Sequence, residues 1–182
     1  MYGRIEGYET DLSREVRAFL WLLKLDIHDF FESIQERSVY RVFRGIGYQP
    51  LVAFELARLC TRPWIELASE TMEKRVVPNA ANRGIPVYRR KLTGYVPQGA
   101  PTSPMLSNLV CTRLDEALTA FAAAERLTFS RYSDDLTFSG SPGGFKRGRA
   151  VALAGEVRHI LAREGFRLHR ESVSFTPPGG RK

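Results

Sequence analysis

Residues 127–139 read LTFSRYSDDLTFS, and this stretch decides the fold. Residues rich in β-branched and aromatic side chains flank Ser133-Asp134-Asp135, which predicts two strands joined by a tight hairpin with carboxylates at its tip. Far upstream, a nearly continuous apolar run from Phe19 ends at Asp26 and Ile27. That run predicts a buried strand that carries an acid at its end. If both strands belong to one sheet, Asp26 and Asp134 come together.

Helical spacing of apolar residues recurs between these strands. A first helix is predicted over 35–44, where Gly45 and Gly47 offer a stop. A second helix is predicted after Pro50 and before Thr61. The residues expected to pack inward on that second helix are Leu51, Phe54, Leu56, Ala57 and Leu59.

The second half of the chain adds two longer helices. Thr102-Ser103-Pro104 combines a hydroxyl cap with a first-turn proline, which predicts a helix running to about Ala124. Another amphipathic helix, with apolar residues at 151, 153, 157, 160 and 161, is expected to end at Gly165, before one or two strands in 166–175. Residues 64–95 mix turn signals and are assigned to loops and short strands. The fold class is therefore α+β.

Composition and charge set the broad class. The chain has 182 residues, ordinary hydrophobic and charged shares of 43% and 26%, and a formal net charge of +7, which favours a polyanionic partner such as nucleic acid. A merely solubilising basic surface is an equal alternative. Cys60 and Cys111 are its two cysteines, and the longest early apolar run is too short to span a bilayer. A reduced, cytoplasmic location away from membranes is expected.

Each acidic feature has a purely structural explanation when it is taken alone. Paired aspartates are common in turns, and an acid at a strand end is often a helix cap. Together, however, a strand-end acid and a hairpin-tip acid form what a two-metal phosphoryl-transfer site requires, because Mg²⁺ prefers carboxylate oxygens and substrate phosphates. The combination points to nucleotidyl transfer.

Three segments resemble the reverse transcriptase family, most closely its bacterial retron and group II intron types. They are residues 25–31 (LDIHDFF), 98–104 (QGAPTSP) and 132–135 (YSDD). The sequence around the last segment is close to that of retron enzymes in particular. The resemblance extends over roughly Leu23 to Phe175. It implies an α+β polymerase palm, in which an antiparallel sheet carries the catalytic acids and helices back it.

The resemblance also implies roles for single residues. Asp26 and Asp134 would bind two Mg²⁺ ions, with Mn²⁺ able to replace them. Asp135 would complete the acidic cluster, and the backbone carbonyl of Ile27 would add a ligand. Arg131 is left outside the candidate set, because a surface position on its strand explains it equally well.

Other matching positions imply contacts with nucleotides. Phe31 matches the bulky residue that excludes a 2′-hydroxyl and so selects deoxynucleotides, although a core aromatic is the open alternative. The loop residues Gln98, Gly99 and Ala100 match the contacts to the template and the incoming nucleotide. The family's lysine near the last helix is missing, so His169 or Arg170 would stand in as the acid that protonates the leaving pyrophosphate.

The implied activity is RNA-templated DNA synthesis, in which a primer 3′-hydroxyl attacks a deoxynucleoside triphosphate. Implied partners are an RNA template, a DNA or RNA primer, dNTPs, and a structured noncoding RNA or a second polypeptide. The biological role is left open among retron synthesis, intron mobility and antiviral defence. Two alternatives stay open for the activity: a catalytically silent or split nucleic-acid-binding remnant, and another two-metal enzyme such as a cyclase.

One partial palm domain over 1–182 is expected. Residues 1–18 are interpreted as a remnant of the connection to the fingers. Residues 176–182 are interpreted as a segment truncated before the primer grip and thumb. Because positioning of template and primer supplies much of the rate, the chain alone is expected to be a poor polymerase. Salt-sensitive, sequence-indifferent nucleic-acid binding is expected of it instead.

Overall fold

The computed structural model describes residues 21–63, 94–141, 147–169 and 172–177. Within these ranges the chain forms six helices and four strands. The helices are α1 (Phe30–Ser33), α2 (Glu36–Ile46), α3 (Pro50–Leu59), α4 (Ser103–Val110), α5 (Thr112–Ala124) and α6 (Arg147–Arg163). The strands are β1 (Trp21–Asp26), β2 (Thr128–Tyr132), β3 (Asp135–Gly140) and β4 (Ser174–Thr176). Of the helices in these ranges, none has the length and apolar character that crossing a bilayer demands.

Contacts divide the chain into two compact units. The first comprises Met1–His28 with Arg113–Lys182, and the second is Asp29–Thr112. All four strands belong to the first unit, together with α6 and all of α5 except its first residue. Helices α1 to α4 belong to the second unit. A single domain over 1–182 stays a prediction.

The first unit is built on a four-stranded sheet with the order β2-β3-β1-β4, in which all neighbours are antiparallel. β1 pairs with β3 from Trp21 opposite Gly140 to Asp26 opposite Asp135. The alternate residues Leu23 and Leu25 are fully buried, and so are their partners on β3, Phe138 and Leu136. Since side chains alternate between faces along a strand, Asp26 and Asp135 share the opposite face. The expected strand and hairpin are confirmed.

Helices α5 and α6 each bury an apolar face in this unit. α5 buries Leu114, Leu118 and Ala122 at helical spacing, and its Phe121 ring meets Phe138 of β3 edge-on at 6.2 Å. α6 buries apolar residues at 150, 153, 154, 157, 160 and 161. Its predicted end is confirmed, because the amide of Gly165 donates to the carbonyl of Ala162 just past the last turn. Val151, expected on the apolar face, is 66% exposed.

The second unit contains the predicted helix pair α2 and α3. Gly47 ends α2 with φ of 108°, a left-handed conformation that glycine adopts without strain, so the predicted stop is confirmed. Ala57 of α3 is buried as predicted, whereas Leu51 and Leu59 are 68% and 83% exposed. Ala53, which was not predicted to face inward, is also buried. Two alanines four positions apart present a flat surface that lets α2 approach closely, and this contact turns the leucines outward.

The predicted single helix from Ser103 to Ala124 is wrong in one respect, because it is interrupted at Cys111. Hydroxyl groups near the break bond to helix carbonyls: Ser107 donates to the carbonyl of Pro104 and Thr112 to that of Leu109. Such bonds compete with the regular ladder. The predicted cap also differs, since Thr102 makes no capping hydrogen bond and Ser103 Oγ instead donates to the carbonyl of Pro97 at 2.6 Å.

A buried carboxylate joins three segments of the second unit. Glu36, at the start of α2, is 2% exposed, and its Oε2 accepts a hydrogen bond from the amide of Gly94 at 3.1 Å. Arg58 and Thr61 both contact the same oxygen at 3.4 Å. A Cβ added at Gly94 would lie only 2.8 Å from Glu36 Oε2, so a larger residue at position 94 would displace this carboxylate. Glu36 therefore links α2 to the end of α3 and to residues 94–96.

Replacing this carboxylate should destabilise the fold. Glu36→Ala is expected to lower the free energy of unfolding by about 1–3 kcal/mol, because the buried Gly94 amide loses its acceptor. Urea denaturation of the purified chain measures the change. Glu55→Ala removes an exposed glutamate of α3 and should stay within about 0.5 kcal/mol of the parent chain. An equal loss in the two variants would contradict the role assigned to Glu36.

Candidate active site

Three aspartates lie near one another at one end of the sheet. Asp26 is the last residue of β1, Asp135 is the first residue of β3, and the two are register partners. Asp134 lies in the two-residue turn between β2 and β3, and its carbonyl accepts a hydrogen bond from the amide of Ile27 at 3.0 Å. The structure thus brings together the acids that the sequence predicted from distant parts of the chain.

The turn that carries Asp134 is held tightly. Ser133 has φ of 57°, a left-handed conformation that is uncommon for a residue other than glycine. The side chain of Arg131 is 6% exposed and makes two bonds to Asp115 of α5, at 2.6 and 2.7 Å. It also donates to the carbonyl of Ser133 at 2.9 Å. Sequence reasoning missed Arg131, although its place three residues before Asp134 was a usable signal.

The surroundings of Asp26 are unfavourable for a negative charge. Burial raises its pKa above the ordinary value, and the negative charges of Asp134 and Asp135 raise the pKa further. A hydrogen bond from Ser172 and the charge of His169 act in the opposite direction. Oδ1 of Asp26 is buried and has no hydrogen-bond partner within the described ranges. An acid in this state is suited to receive a cation.

Residues that follow α6 in the chain contact the end of β1. The amide of His169 donates to the carbonyl of Asp26 at 2.8 Å, and Ser172 Oγ lies 3.4 Å from Asp26 Oδ2. The ring of His169 stacks on that of His28 with centroids 5.4 Å apart, and its Nδ1 lies 3.0 Å from Ser172 Oγ. His169, a predicted candidate, therefore lies beside the acids, whereas Arg170 lies outside the described residues. Sequence reasoning missed His28.

The acids suit magnesium in number and type. In the part of the chain that the structure describes, no three His, Cys, Asp or Glu side chains form a ready-made metal-ligand group. Mg²⁺ in phosphoryl-transfer sites is commonly held by one or two carboxylates plus substrate phosphates and water, so a larger protein cage is not required. Two neighbouring carboxylates fit such a site, and Oδ1 of Asp26 is buried with no hydrogen-bond partner among the described residues.

The other predicted site residues belong to the second unit. Phe31 of α1 is half-buried and meets the buried Phe30 edge-on at 5.2 Å. Gln98 and Gly99 are exposed in a turn, and Ala100 is half-buried. Gly99 has φ of 87°, and none of the described residues lies within 4 Å of a Cβ built on it. The turn residues therefore present open backbone to solvent.

Backbone bonds tie Phe31 and the turn at 98–100 into one local framework. The amide of Val96 donates to the carbonyl of Ile34 at 3.0 Å, and the amide of Glu36 donates to the carbonyl of Gly94 at 2.8 Å. Gln35 and Tyr95 form an isolated bridge between these bonds. The segment that follows Phe31 is thus paired with the segment that precedes Gln98.

Comparison with known proteins now identifies the class. The model of the family described as reverse transcriptase (RNA-dependent DNA polymerase) matches residues 5–177. The antiparallel sheet, its backing helices and the clustered acids fit the palm of such enzymes. The chain belongs to the reverse transcriptase family.

Retron enzymes are among its relatives. The chain is 37% identical to retron Mx65 reverse transcriptase of Myxococcus xanthus, over 87% of its own length and 34% of that protein. It is 32% identical to retron Mx162 reverse transcriptase of the same organism, over 88% and 32%. It is also 32% identical to retron Ec86 reverse transcriptase of Escherichia coli, over 87% and 39%. The chain thus spans between about a third and two fifths of the length of these relatives.

The crowding of charge around Asp26 predicts a pH-dependent stability. A carboxyl whose pKa is raised by folding holds its proton more tightly in the folded state, so stability falls as pH rises above the ordinary pKa of about 4. Asp26→Asn removes that penalty. In metal-free buffer the variant should gain stability relative to the parent chain as pH rises from about 4 to 7. Urea denaturation midpoints of the variant and the parent chain across this pH range measure their difference in stability. If that difference, variant minus parent, stays constant or decreases as pH rises, the prediction is wrong.

Proposed function

We propose that this chain is the catalytic palm of a retron-type reverse transcriptase, which extends a primer 3′-hydroxyl with deoxynucleotides as directed by an RNA template. The observation that carries the proposal is the register of β1 with β3, which sets Asp26 beside Asp135 and bonds Ile27 to Asp134. Family membership supports the general reaction. The proposal includes a two-metal mechanism and roles for single residues.

Asp26 and Asp134 would hold two divalent cations, Mg²⁺ or Mn²⁺, with Asp135 completing the negative cluster and the Ile27 carbonyl adding a ligand. Such ions supply activation of the primer hydroxyl and stabilisation of charge on the leaving oxygen. The raised pKa of Asp26 fits this role, because the repulsion that raises it is relieved when a cation is present. The protein's own task is to hold the carboxylates in place before substrate arrives.

The second unit would supply contacts to the nucleotides. Phe31 would lie under the sugar and exclude a 2′-hydroxyl, while Gln98, Gly99 and Ala100 would contact the template and the incoming nucleotide. The open, left-handed backbone at Gly99 supports this assignment, because a base pair can approach where no side chain intervenes. The bonds between residues 34–36 and 94–96 would keep these two contact sets in register.

His169 is the proposed acid for the leaving pyrophosphate, with Arg170 as the alternative. The short distance from the His169 amide to the Asp26 carbonyl supports a place near the reacting groups. An RNA template, a DNA or RNA primer and dNTPs are the proposed partners, together with a structured noncoding RNA or a second polypeptide. The net charge of +7 favours such polyanions, and the cytoplasm is the proposed location.

Loss of one metal-binding carboxylate provides the first test. In an enzyme that also supplies the template and primer contacts, Asp134→Asn should abolish Mg²⁺-dependent extension of a primed RNA template. In the purified chain it should weaken Mn²⁺ binding roughly tenfold or more, because the amide cannot replace an anionic ligand. Electron paramagnetic resonance of free Mn²⁺ measures binding without requiring turnover. Glu116→Gln, an exposed acid of α5, is the matched control and should bind as the parent chain does.

The outcomes separate the open alternatives. If Asp134→Asn binds Mn²⁺ as tightly as the parent chain, the metal assignment is wrong. If an enzyme that also supplies the template and primer contacts binds Mn²⁺ and nucleic acid but extends no primer, the catalytically silent alternative gains support.

Removal of the aromatic ring at position 31 tests sugar selection. In an enzyme that also supplies the template and primer contacts, Phe31→Ala should raise ribonucleotide incorporation relative to deoxynucleotide incorporation by about tenfold, which corresponds to about 1.4 kcal/mol of lost discrimination. Single-nucleotide extension with paired rNTP and dNTP measures the ratio. Tyr48→Ala removes a 44%-exposed aromatic of the same unit and should leave the ratio unchanged. An unchanged ratio in Phe31→Ala would make Phe31 a packing residue.

A further inference from the structure

Arg131 makes a contact set that an ordinary surface ion pair lacks. Its Nε and Nη2 atoms bond to the two carboxylate oxygens of Asp115, and its Nη1 donates to the carbonyl of Ser133. The guanidinium is planar and rigid, so fixing one side on Asp115 fixes where the other side points. The bidentate pair therefore aims one donor at the hairpin turn.

That donor acts directly on the backbone around Asp134. The Ser133 carbonyl belongs to the peptide group that enters Asp134, and this carbonyl is bonded to Arg131. The Asp134 carbonyl belongs to the next peptide group, and it is bonded to the amide of Ile27. Both peptide groups flanking Asp134 are thus held, one by a side chain and one by the neighbouring strand.

The backbone conformation of Ser133 explains why the turn needs such support. Its φ of 57° places a residue with a side chain in the left-handed region, which costs energy unless surrounding contacts maintain it. The bond from Arg131 to the Ser133 carbonyl is formed in that conformation. A turn freed of this bond would explore other conformations and carry Asp134 with it.

We infer that Arg131, oriented by Asp115, is a positioning residue that sets the direction of the Asp134 carboxylate. The inference rests on the proposed function, since it gives Asp134 the role of a metal ligand. A purely structural ion pair between β2 and α5 is the competing explanation. The two differ in what they change: a positioning residue alters the hairpin tip and the metal affinity, whereas a structural pair alters only global stability.

Arg131→Lys tests the inference with little change in charge. Lysine keeps the positive charge but cannot bond both oxygens of Asp115 and the Ser133 carbonyl in one plane. Hydrogen exchange at the Ile27 amide should become roughly tenfold faster or more, and Mn²⁺ affinity should fall roughly 10- to 100-fold, as when groups that orient metal ligands are replaced. Asp115→Asn should shift both readouts in the same direction, and it serves if Arg131→Lys folds poorly.

Two controls make the test decisive. The amide of Leu23, in the middle of β1, should keep its protection, and Arg149→Lys, which alters an exposed arginine–glutamate pair with Glu125, should change neither readout. Unchanged exchange at Ile27, or equal acceleration at Ile27 and Leu23, would overturn the inference. Absence of Mn²⁺ binding to the parent chain would instead count against the proposed function, and the exchange measurement would still decide whether Arg131 holds the turn.

Discussion

The pairing of β1 with β3 is the constraint on which the rest of the first unit depends. Its register puts Leu23 and Leu25 against the buried residues of β3 and leaves Asp26 beside Asp135 on the other face. Because side chains alternate along a strand, a slip of one residue would turn the acid into the core and the leucines out. Burial of the apolar face therefore also fixes the acidic face, and the site is as well defined as the core.

The acidic cluster is held together against its own repulsion. Burial and neighbouring charges disfavour the ionised form of Asp26, yet backbone bonds at Ile27 and His169 keep the strand end in place. Around the turn, Arg131 is ion-paired with Asp115 and bonds to the Ser133 carbonyl. The local backbone thus tolerates an arrangement that is costly when no cation is present, which is a common property of sites prepared for a charged ligand.

The sequence predicted the features that depend on local pattern. The strand ending at Asp26 follows from a nearly continuous apolar run. The hairpin around Ser133-Asp134 follows from flanking β-branched and aromatic residues, and the stop after α2 follows from glycine. Three other features were not predicted. The outward leucines of α3 depend on the facing helix. The break at Cys111 depends on hydroxyl bonds to helix carbonyls, and the buried position of Arg131 depends on its pair with Asp115. The roles assigned to Phe31 and to residues 98–100 stay predictions.

The order in which the chain is synthesised gives the sheet a further consequence. β1 appears early, but its partners β3 and β4 are encoded after the whole second unit. The apolar face of β1 therefore has no sheet partner until Gly140 has emerged from the ribosome, while α2 and α3 can pair as soon as they are made. Such non-local pairing slows folding and leaves an unpaired strand exposed meanwhile. The acidic site is consequently among the last parts of the described structure to form, and a chain interrupted before the hairpin would contain Asp26 without the acids that meet it.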